Sequence, residues 1–271
     1  MRIGVVAPGR PIDETVATRV SAFLALTWPD AEIQFHPQCF QSEGHFAGPD
    51  AVRAAAFLEM ANDPGIDIVW FARGGYGSNR ILDAVMPQLA PAAGHKSYIG
   101  FSDMGFLLGA LYARRIGRAI HGAMPVTLGG NDAGDSIGWA LGWAIDGNRA
   151  GLEPSLGGKP AAAFNLAILS ALIGTPWMPD LTDHVLMIEE VSEPLYRIDR
   201  MLFTVAHATQ LKGIAGIRLG AVTHVQENDP PFAETPEQIV TRWCAEMGVP
   251  FLGRAEIGHI ERNRVVPFGL V

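Results

Sequence analysis

The chain has 271 residues, of which 48% are hydrophobic and 18% are charged, and it contains 31 glycines and 19 prolines. This composition excludes a disordered chain and a long helical bundle, and the length allows one large domain or two small ones. The formal net charge of −8 argues against nucleic acid as a partner, because phosphate binding needs clustered lysines and arginines.

The first half of the chain alternates strand and helix patterns. Short apolar segments predict strands at Ile3–Ala7, Glu32–Phe35, Ile66–Phe71, Tyr98–Phe101 and Arg118–His121. Amphipathic periodicity predicts the intervening helices at Glu14–Leu26, Asp50–Asn62, Ser78–Met86 and Met104–Ile116. Strands that alternate with helices in this way pair in parallel and carry helices on both faces of the sheet, so we expect an α/β fold.

The second half of the chain is less regular and follows residues 147–160, which hold six glycines or prolines and little periodicity. Helices are predicted at Asn165–Ile173, Pro194–Ala208 and Pro236–Met247. Strands are predicted at Val185–Ile188, Ile214–Val225, Phe251–Leu252 and Val265–Phe268. We therefore expect an N-terminal domain over residues 1–147, a linker over 148–160 and a C-terminal domain over 161–271.

The cysteines and the N-terminal segment indicate the cellular compartment of the protein. Cys39 and Cys244 lie in unrelated segments and form no metal-binding pattern, which predicts two free thiols in a reducing compartment. The N-terminal apolar segment is interrupted by Pro8-Gly9 and is too short for the core of a signal peptide. No segment approaches the ~20 apolar residues of a membrane span. We expect a cytoplasmic protein without a membrane partner.

Ser102 lies where a predicted strand passes into a predicted helix. A serine at such a junction is held in a tight turn with its hydroxyl exposed, and the next backbone N–H groups point toward whatever the hydroxyl attacks. The spacing differs from the Gly-x-Ser-x-Gly pattern, because Gly105 comes one residue late. On local sequence alone, a simple helix N-cap is the commoner role of such a serine.

A glycine-rich segment, Arg73–Gly77, also follows a strand and opens a helix. Glycines allow the backbone to approach a ligand closely. The segment lacks the dinucleotide-binding spacing and the Lys-Ser/Thr of a phosphate loop. A plain turn and an oxyanion hole for acyl transfer are the alternatives that remain.

A serine nucleophile needs a base, and the base needs an acid that orients it. Of the eight histidines, His121 at a strand end and His259 in a polar loop before the last strand are the best candidates. A structural role is open for both. Glu189 and Glu190 follow an apolar strand and are candidate acids, although a solvated turn is the default interpretation.

Several segments of the chain, taken together and in order, resemble the LD-carboxypeptidases of serine-peptidase type. They are Ile3–Pro8, Phe71–Gly77, Gly100–Asp103, His121–Met124, Asn165-Leu166, Gly174–Pro176, Glu189–Val191, Tyr196–Arg200, Gly258-His259 and Pro267–Gly269. They run from residue 3 to residue 269 and so cover nearly the whole chain. Each segment is weak alone, and the ordered set is specific.

The resemblance assigns roles to matching residues. The serine of the family's Ser-Asp turn is the nucleophile, which matches Ser102. The first acid of its acidic pair is the orienting acid, matching Glu189, and the histidine of its late Gly-His pair is the base, matching His259. The oxyanion donors carried over are the N–H groups of Asp103 and of a glycine in the glycine-rich segment, which we assign to Gly75.

The resemblance also implies a fold and a substrate. The family fold is a Rossmann-like N-terminal domain with a smaller mixed α/β C-terminal domain, and the site lies in the cleft between them. The implied reaction is hydrolysis of the amide before a C-terminal D-residue, which releases D-alanine from muropeptide tetrapeptides in cell-wall recycling. It implies no cofactor and no metal, and it suggests a homodimer. A substrate carboxylate calls for a cation nearby, and we assign Arg80 and His121 to substrate binding.

Two alternatives stay open. A related peptidase that cleaves a peptide–nucleotide antibiotic, of the microcin C immunity type, would use the same chemistry. A non-catalytic Rossmann ligand-binding module would use the segment Arg73–Gly77. The chain departs from the family at Pro8-Gly9-Arg10-Pro11, where small hydroxyl residues are more common, and at Gly105, where Thr or Ser is common.

Overall fold

The computed structural model describes residues 1–129 and 134–270, and two β-sheets organise this part of the chain. The strands of the first sheet are β1 (Arg2–Val6), β2 (Glu32–Phe35), β3 (Ile68–Phe71), β4 (Ser97–Gly100), β5 (Arg118–His121) and β10 (Val266–Pro267). Their order is β10-β5-β4-β3-β1-β2, and the pairing is parallel except between β10 and β5.

Helices cover both faces of the first sheet. They are α1 (Glu14–Thr27), α2 (Asp50–Asn62), α3 (Leu82–Val85), α4 (Gly105–Ala113) and α5 (Asp135–Asp146). Successive strand residues point to opposite faces. Trp70 of β3 accordingly joins an apolar core with α1 and α5, while Phe71 joins a second core with α2, α3 and α4.

The second sheet consists of parallel strands in the order β6-β7-β8-β9. These strands are β6 (Ala161–Asn165), β7 (Val185–Val191), β8 (Gly216–Thr223) and β9 (Phe251–Arg254), and the accompanying helices are α6 (Leu166–Leu172), α7 (Leu195–His207) and α8 (Pro236–Met247). Buried side chains of α6 and α7 belong to the same apolar core as Phe71, so the second sheet packs on the α4 side of the first.

The structure confirms the α/β class with a Rossmann-like parallel sheet and differs from the prediction in three elements. Helix α5 was not predicted, because Gly138 and Gly142 lower its helix propensity. Strand β6 was not predicted, because its three alanines lack strand propensity. Strand β10, from the C-terminal half, pairs with the first sheet.

The division into residues 1–147, 148–160 and 161–271 stays a prediction, and β10 is the segment that crosses it. Within residues 1–129 and 134–270, no helix is both long and apolar enough to cross a membrane.

Both cysteines are buried and unpaired, which gives a test of the core. Burial raises the pKa of Cys39 to about 12 and that of Cys244 to about 11, and only a thiolate reacts fast with a disulfide reagent. We expect a thiol reagent at pH 8 to modify neither cysteine rapidly in the native protein and both after unfolding in urea without reductant. Rapid native labelling of Cys39 would contradict its burial beside β1, where its Sγ lies 3.3 Å from the carbonyl oxygen of Val5.

Candidate active site

Ser102 occupies a strained turn at the carboxyl end of β4. Its φ of +59° lies in the left-handed region, which few residues other than glycine adopt. A 3₁₀ turn at Ser102–Met104 leads directly into α4. No side chain caps this turn or α4, so the N-cap interpretation of Ser102 is wrong. Ser102 is half-buried and lies on a strand-to-helix elbow, which is the geometry of a nucleophile whose hydroxyl a substrate can reach.

The glycine-rich segment Arg73–Gly77 lies against this turn. A methyl group added to Gly74 would come within 3.0 Å of Oγ of Ser102, so the backbone of Gly74 borders the hydroxyl directly. Gly75 has a φ of +112°, a conformation that glycine adopts without strain.

Asp103 locks the two segments together. Its Oδ2 accepts a hydrogen bond from the backbone N of Ser78 at 3.0 Å, and Oγ of Ser78 donates to the carbonyl oxygen of Asp103 at 2.6 Å. Burial raises the pKa of Asp103. The backbone N–H groups near Ser102 are therefore fixed by a buried, hydrogen-bonded side chain that no sequence motif singled out for this role.

The structure brings His259 and Glu189 together although 70 residues separate them. Nδ1 of His259 lies 2.8 Å from Oε2 of Glu189, whose side chain is fully buried within β7. The half-buried ring of His259 packs at 5.0 Å, centroid to centroid, on Phe101, the residue before Ser102. In the described part of the chain, no hydrogen bond joins the Ser102 hydroxyl to His259. Such contacts often tighten only when substrate binds.

Electrostatics around His259 favour its charged form. Burial by itself would lower the pKa of His259, but the hydrogen bond and charge of Glu189, with a smaller contribution from Glu190, raise it above the ordinary value of 6.5. Because Nδ1 faces a carboxylate, it carries the proton in the neutral ring, and Nε2 is left as an acceptor.

Glu190 points away from the histidine, as neighbouring residues on a strand do. Its Oε1 accepts hydrogen bonds from Nδ2 of Asn165 at 2.9 Å and the backbone N of Val191 at 2.8 Å. Its Oε2 accepts one from the backbone N of Ala167 at 2.8 Å, in the first turn of α6. Glu190 therefore anchors a helix, and Glu189 is the acid that faces His259.

His121 and Asn263 hold the loop that carries His259. Oδ1 of Asn263 accepts from the backbone N of Gly258 at 2.9 Å and lies 3.1 Å from Nε2 of His121. Its backbone N donates to Oγ of Ser136 at 3.0 Å. His121 is 1% exposed, and burial lowers its pKa, so a neutral ring donates to Asn263. A buried ring in this position supports the loop, and the assignment of His121 to substrate binding stays a prediction. Asn263 and Ser136 were missed by sequence analysis.

Arg80, the other residue assigned to substrate binding, already has an anionic partner. Its Nε donates to Oδ2 of Asp50 at 2.8 Å, and its guanidinium lies 4.7 Å from the ring centroid of Phe46. Among the described residues, no group of three or more His, Cys, Asp and Glu side chains is arranged to hold a metal ion.

Family models and curated relatives match this chain over nearly its whole length. Residues 3–122 match the model of the LD-carboxypeptidase N-terminal domain, and residues 161–271 match that of the LD-carboxypeptidase C-terminal domain. A putative carboxypeptidase from Streptomyces coelicolor is 32% identical over 99% of this chain and 88% of its own length. The murein tetrapeptide carboxypeptidase of Pseudomonas aeruginosa is 25% identical over 99% of this chain and 91% of its own.

Solved structures share the fold. The muramoyltetrapeptide carboxypeptidase from Oxalobacter formigenes superimposes with a TM-score of 0.81 at 24% identity, covering 99% of this chain and 93% of that chain. The wild-type microcin C7 self-immunity protein gives a TM-score of 0.78 at 16% identity, covering 99% and 91%.

The His259–Glu189 contact can be tested by titrating the imidazole of His259 by NMR. We expect a midpoint above 6.5 in the parent protein. In Glu189→Gln the hydrogen-bonded charge is lost while burial remains, so the midpoint should fall below that of the parent. Glu190→Gln is the control and should lower it less, because Glu190 acts only through its more distant charge. An unchanged midpoint in Glu189→Gln would contradict the contact.

Proposed function

Because the chain belongs to the LD-carboxypeptidase family of serine peptidases, we propose that it releases D-alanine from muropeptide tetrapeptides by hydrolysing the amide before the C-terminal D-residue. One observation carries this proposal: His259, which is hydrogen-bonded to Glu189, packs on Phe101, the residue before Ser102 in its strained turn. The relatives named as murein peptide carboxypeptidases support the substrate class.

The chemistry follows from the roles that these three side chains suit. Oγ of Ser102 attacks the carbonyl carbon before the terminal residue, and Nε2 of His259 takes the hydroxyl proton. Glu189 holds the tautomer and stabilises the imidazolium that forms. His259 then donates the proton to the departing amine, which leaves an acyl group on Ser102. Water, deprotonated by His259, attacks this ester and restores the free serine.

The negative charge of the tetrahedral intermediate needs donors that are in place before reaction. The backbone N–H groups of Asp103 and Gly75 are suited to this, because Asp103 lies in the turn that opens α4 and Gly75 follows the glycine that borders Oγ. The positive end of α4 adds to their effect.

Two further expectations accompany this proposal, a cytoplasmic location and a homodimer. The buried, unpaired thiols are compatible with the first. The second is an expectation from the family resemblance.

The nucleophile is tested by Ser102→Ala. We expect kcat for D-alanine release from a tetrapeptide to fall by roughly 10⁴–10⁶ with the fold intact, because the attacking oxygen is removed. Ser21→Ala, in α1 on the other face of the first sheet, is the matched control and should retain parent turnover. D-alanine is quantified by chromatography, and melting curves verify folding. Parent-level turnover in folded Ser102→Ala would exclude the proposed nucleophile.

Variants of the adjacent residues Glu189 and Glu190 distinguish a catalytic role from a structural one. Glu189→Gln should lower kcat by about 10³–10⁴, because the imidazole loses its orienting carboxylate. Glu190→Gln should lower Tm by weakening the anchor of α6 and change kcat far less. Equal losses of kcat in the two folded variants would show that Glu189 has no special role.

A further inference from the structure

Two loops meet beside the proposed oxyanion hole, namely residues 8–11 after β1 and residues 73–77 after β3. The buried guanidinium of Arg53 donates hydrogen bonds to the carbonyl oxygens of Pro8 and of Gly77, at 2.9 Å for the latter, and so ties the loops together. A methyl group added to Gly9 would lie 3.4 Å from the carbonyl oxygens of Gly74 and Tyr76. The loops therefore pack backbone to backbone, which fixes the Cα positions from which their side chains extend.

Arg10 runs across the residue that is proposed to donate to the oxyanion. A methyl group on Gly75 would lie 2.4 Å from Cδ and 2.7 Å from Cγ of Arg10, so the stem of the arginine lies directly on Gly75. Gly74, the preceding residue, borders Oγ of Ser102. Arg10 is half-buried there, so part of its side chain stays open to solvent beside Gly75.

Arg73 stands beside Arg10. Its Nη1 donates to the carbonyl oxygen of Pro11, the residue after Arg10, at 3.5 Å. Burial, and then the charge of Arg10, lower the pKa of Arg73, and the charge of Asp13 opposes them. The two like charges therefore lie near each other, beside the glycine-rich segment.

Neither guanidinium is neutralised by a direct ion pair. Within residues 1–129 and 134–270, ion pairs of 4.0 Å or less are formed by Arg53 and Arg80 with Asp50, whereas Arg10 and Arg73 form none. Like charges repel, so a half-buried pair without an anion is an unfavourable arrangement that a bound anion would relieve.

The proposed reaction brings an anion close to the bond that is cleaved. In a peptide with a C-terminal D-residue, the terminal carboxylate is two bonds from the scissile nitrogen, so it lies within about 4 Å of the carbonyl carbon that Ser102 attacks. A guanidinium fork matches a carboxylate and binds it through two parallel hydrogen bonds.

We propose that Arg10, with Arg73 beside it, binds the free α-carboxylate of the substrate's C-terminal residue and so restricts this enzyme to chain ends. The assignment rests on the proposed carboxypeptidase function. It replaces Arg80, whose guanidinium already donates a hydrogen bond to Asp50, and it uses the loop at which this sequence departs from its family.

The test uses a substrate with one charge. In Nα,Nε-diacetyl-L-lysyl-D-alanine the only carboxylate is terminal, and the primary amide of the same peptide has none. The parent enzyme should hydrolyse the acid with a higher kcat/KM than the amide. Arg10→Met should lower kcat/KM for the acid about 10- to 100-fold, the loss expected for a hydrogen bond to a charged group, and leave the amide nearly unchanged. Arg10→Lys should recover part of the loss, and Arg73→Met should reduce the same preference.

Arg118→Met is the matched control. It removes an exposed guanidinium at the amino end of β5, whereas the Ser102 turn follows the carboxyl end of the neighbouring strand β4. It should leave both substrates unaffected. Arg10 could instead bind a carboxylate on a substrate side chain. A tetrapeptide that has a side-chain carboxylate and a terminal amide tests this, and Arg10→Met should not slow its hydrolysis.

The failures of the two proposals can be told apart. If the parent enzyme hydrolyses the acid but folded Arg10→Met slows acid and amide equally, or slows neither, the carboxylate site is wrong and the carboxypeptidase function stands. Dependence on Arg10 only with the side-chain carboxylate would also overturn it. If the parent enzyme hydrolyses no L,D-peptide, the proposed function is wrong and the carboxylate site falls with it.

Discussion

The position of His259 depends on a segment that is fixed by both sheets. Strand β9 belongs to the second sheet, while β10 pairs antiparallel with β5 of the first, Val266 opposite His121. Between the two strands, the loop is held by the side chains of Ser136 and Asn263. A loop tied at both ends and along its length keeps few conformations, so little conformational entropy is lost when the imidazole meets Glu189.

Adjacent glutamates in β7 illustrate how surroundings decide the role of a carboxylate. Glu190 accepts three hydrogen bonds from Asn165 and the nearby backbone, which engage both of its oxygens and hold it away from His259. Glu189 is enclosed by glycines, because methyl groups on Gly220 and Gly258 would each lie 3.0 Å from its Cβ. Its Oε1 has no hydrogen-bond partner within the described chain, so the imidazole at Oε2 is its principal compensation.

The opposite wall of the site is organised by groups of opposite charge. Asp103 joins the Ser102 turn to the glycine-rich loop, and Arg53 joins that loop to the turn after β1. Both side chains are buried and hydrogen-bond to backbone atoms of the neighbouring loops, which makes them structural supports. Two further positive charges, those of Arg10 and Arg73, lie beside this loop without a direct ion pair among the described residues. In a chain with a net charge of −8, this local excess of positive charge stands out as a place for an anion.

The sequence determined the elements whose signal is local. Periodicity placed the bounds of α2, α8, β2 and β5 where the structure has them, and the order of strands and helices was sufficient for an α/β fold. The ordered family motifs named Ser102, Glu189 and His259 before their geometry was known. Elements with weak local preference, α5 with its glycines and β6 with its alanines, were missed because tertiary packing stabilises them.

Only the tertiary structure decided which of these residues meet. His121 and Asn263 are 142 residues apart, and neither sequence nor spacing could pair them or show that His121 is buried. The choice between Arg80 and Arg10 as the cation near the substrate likewise depends on where Asp50 lies. Contacts of this kind arise when separate elements pack, and they are set by the three-dimensional path of the chain, which local propensity does not encode.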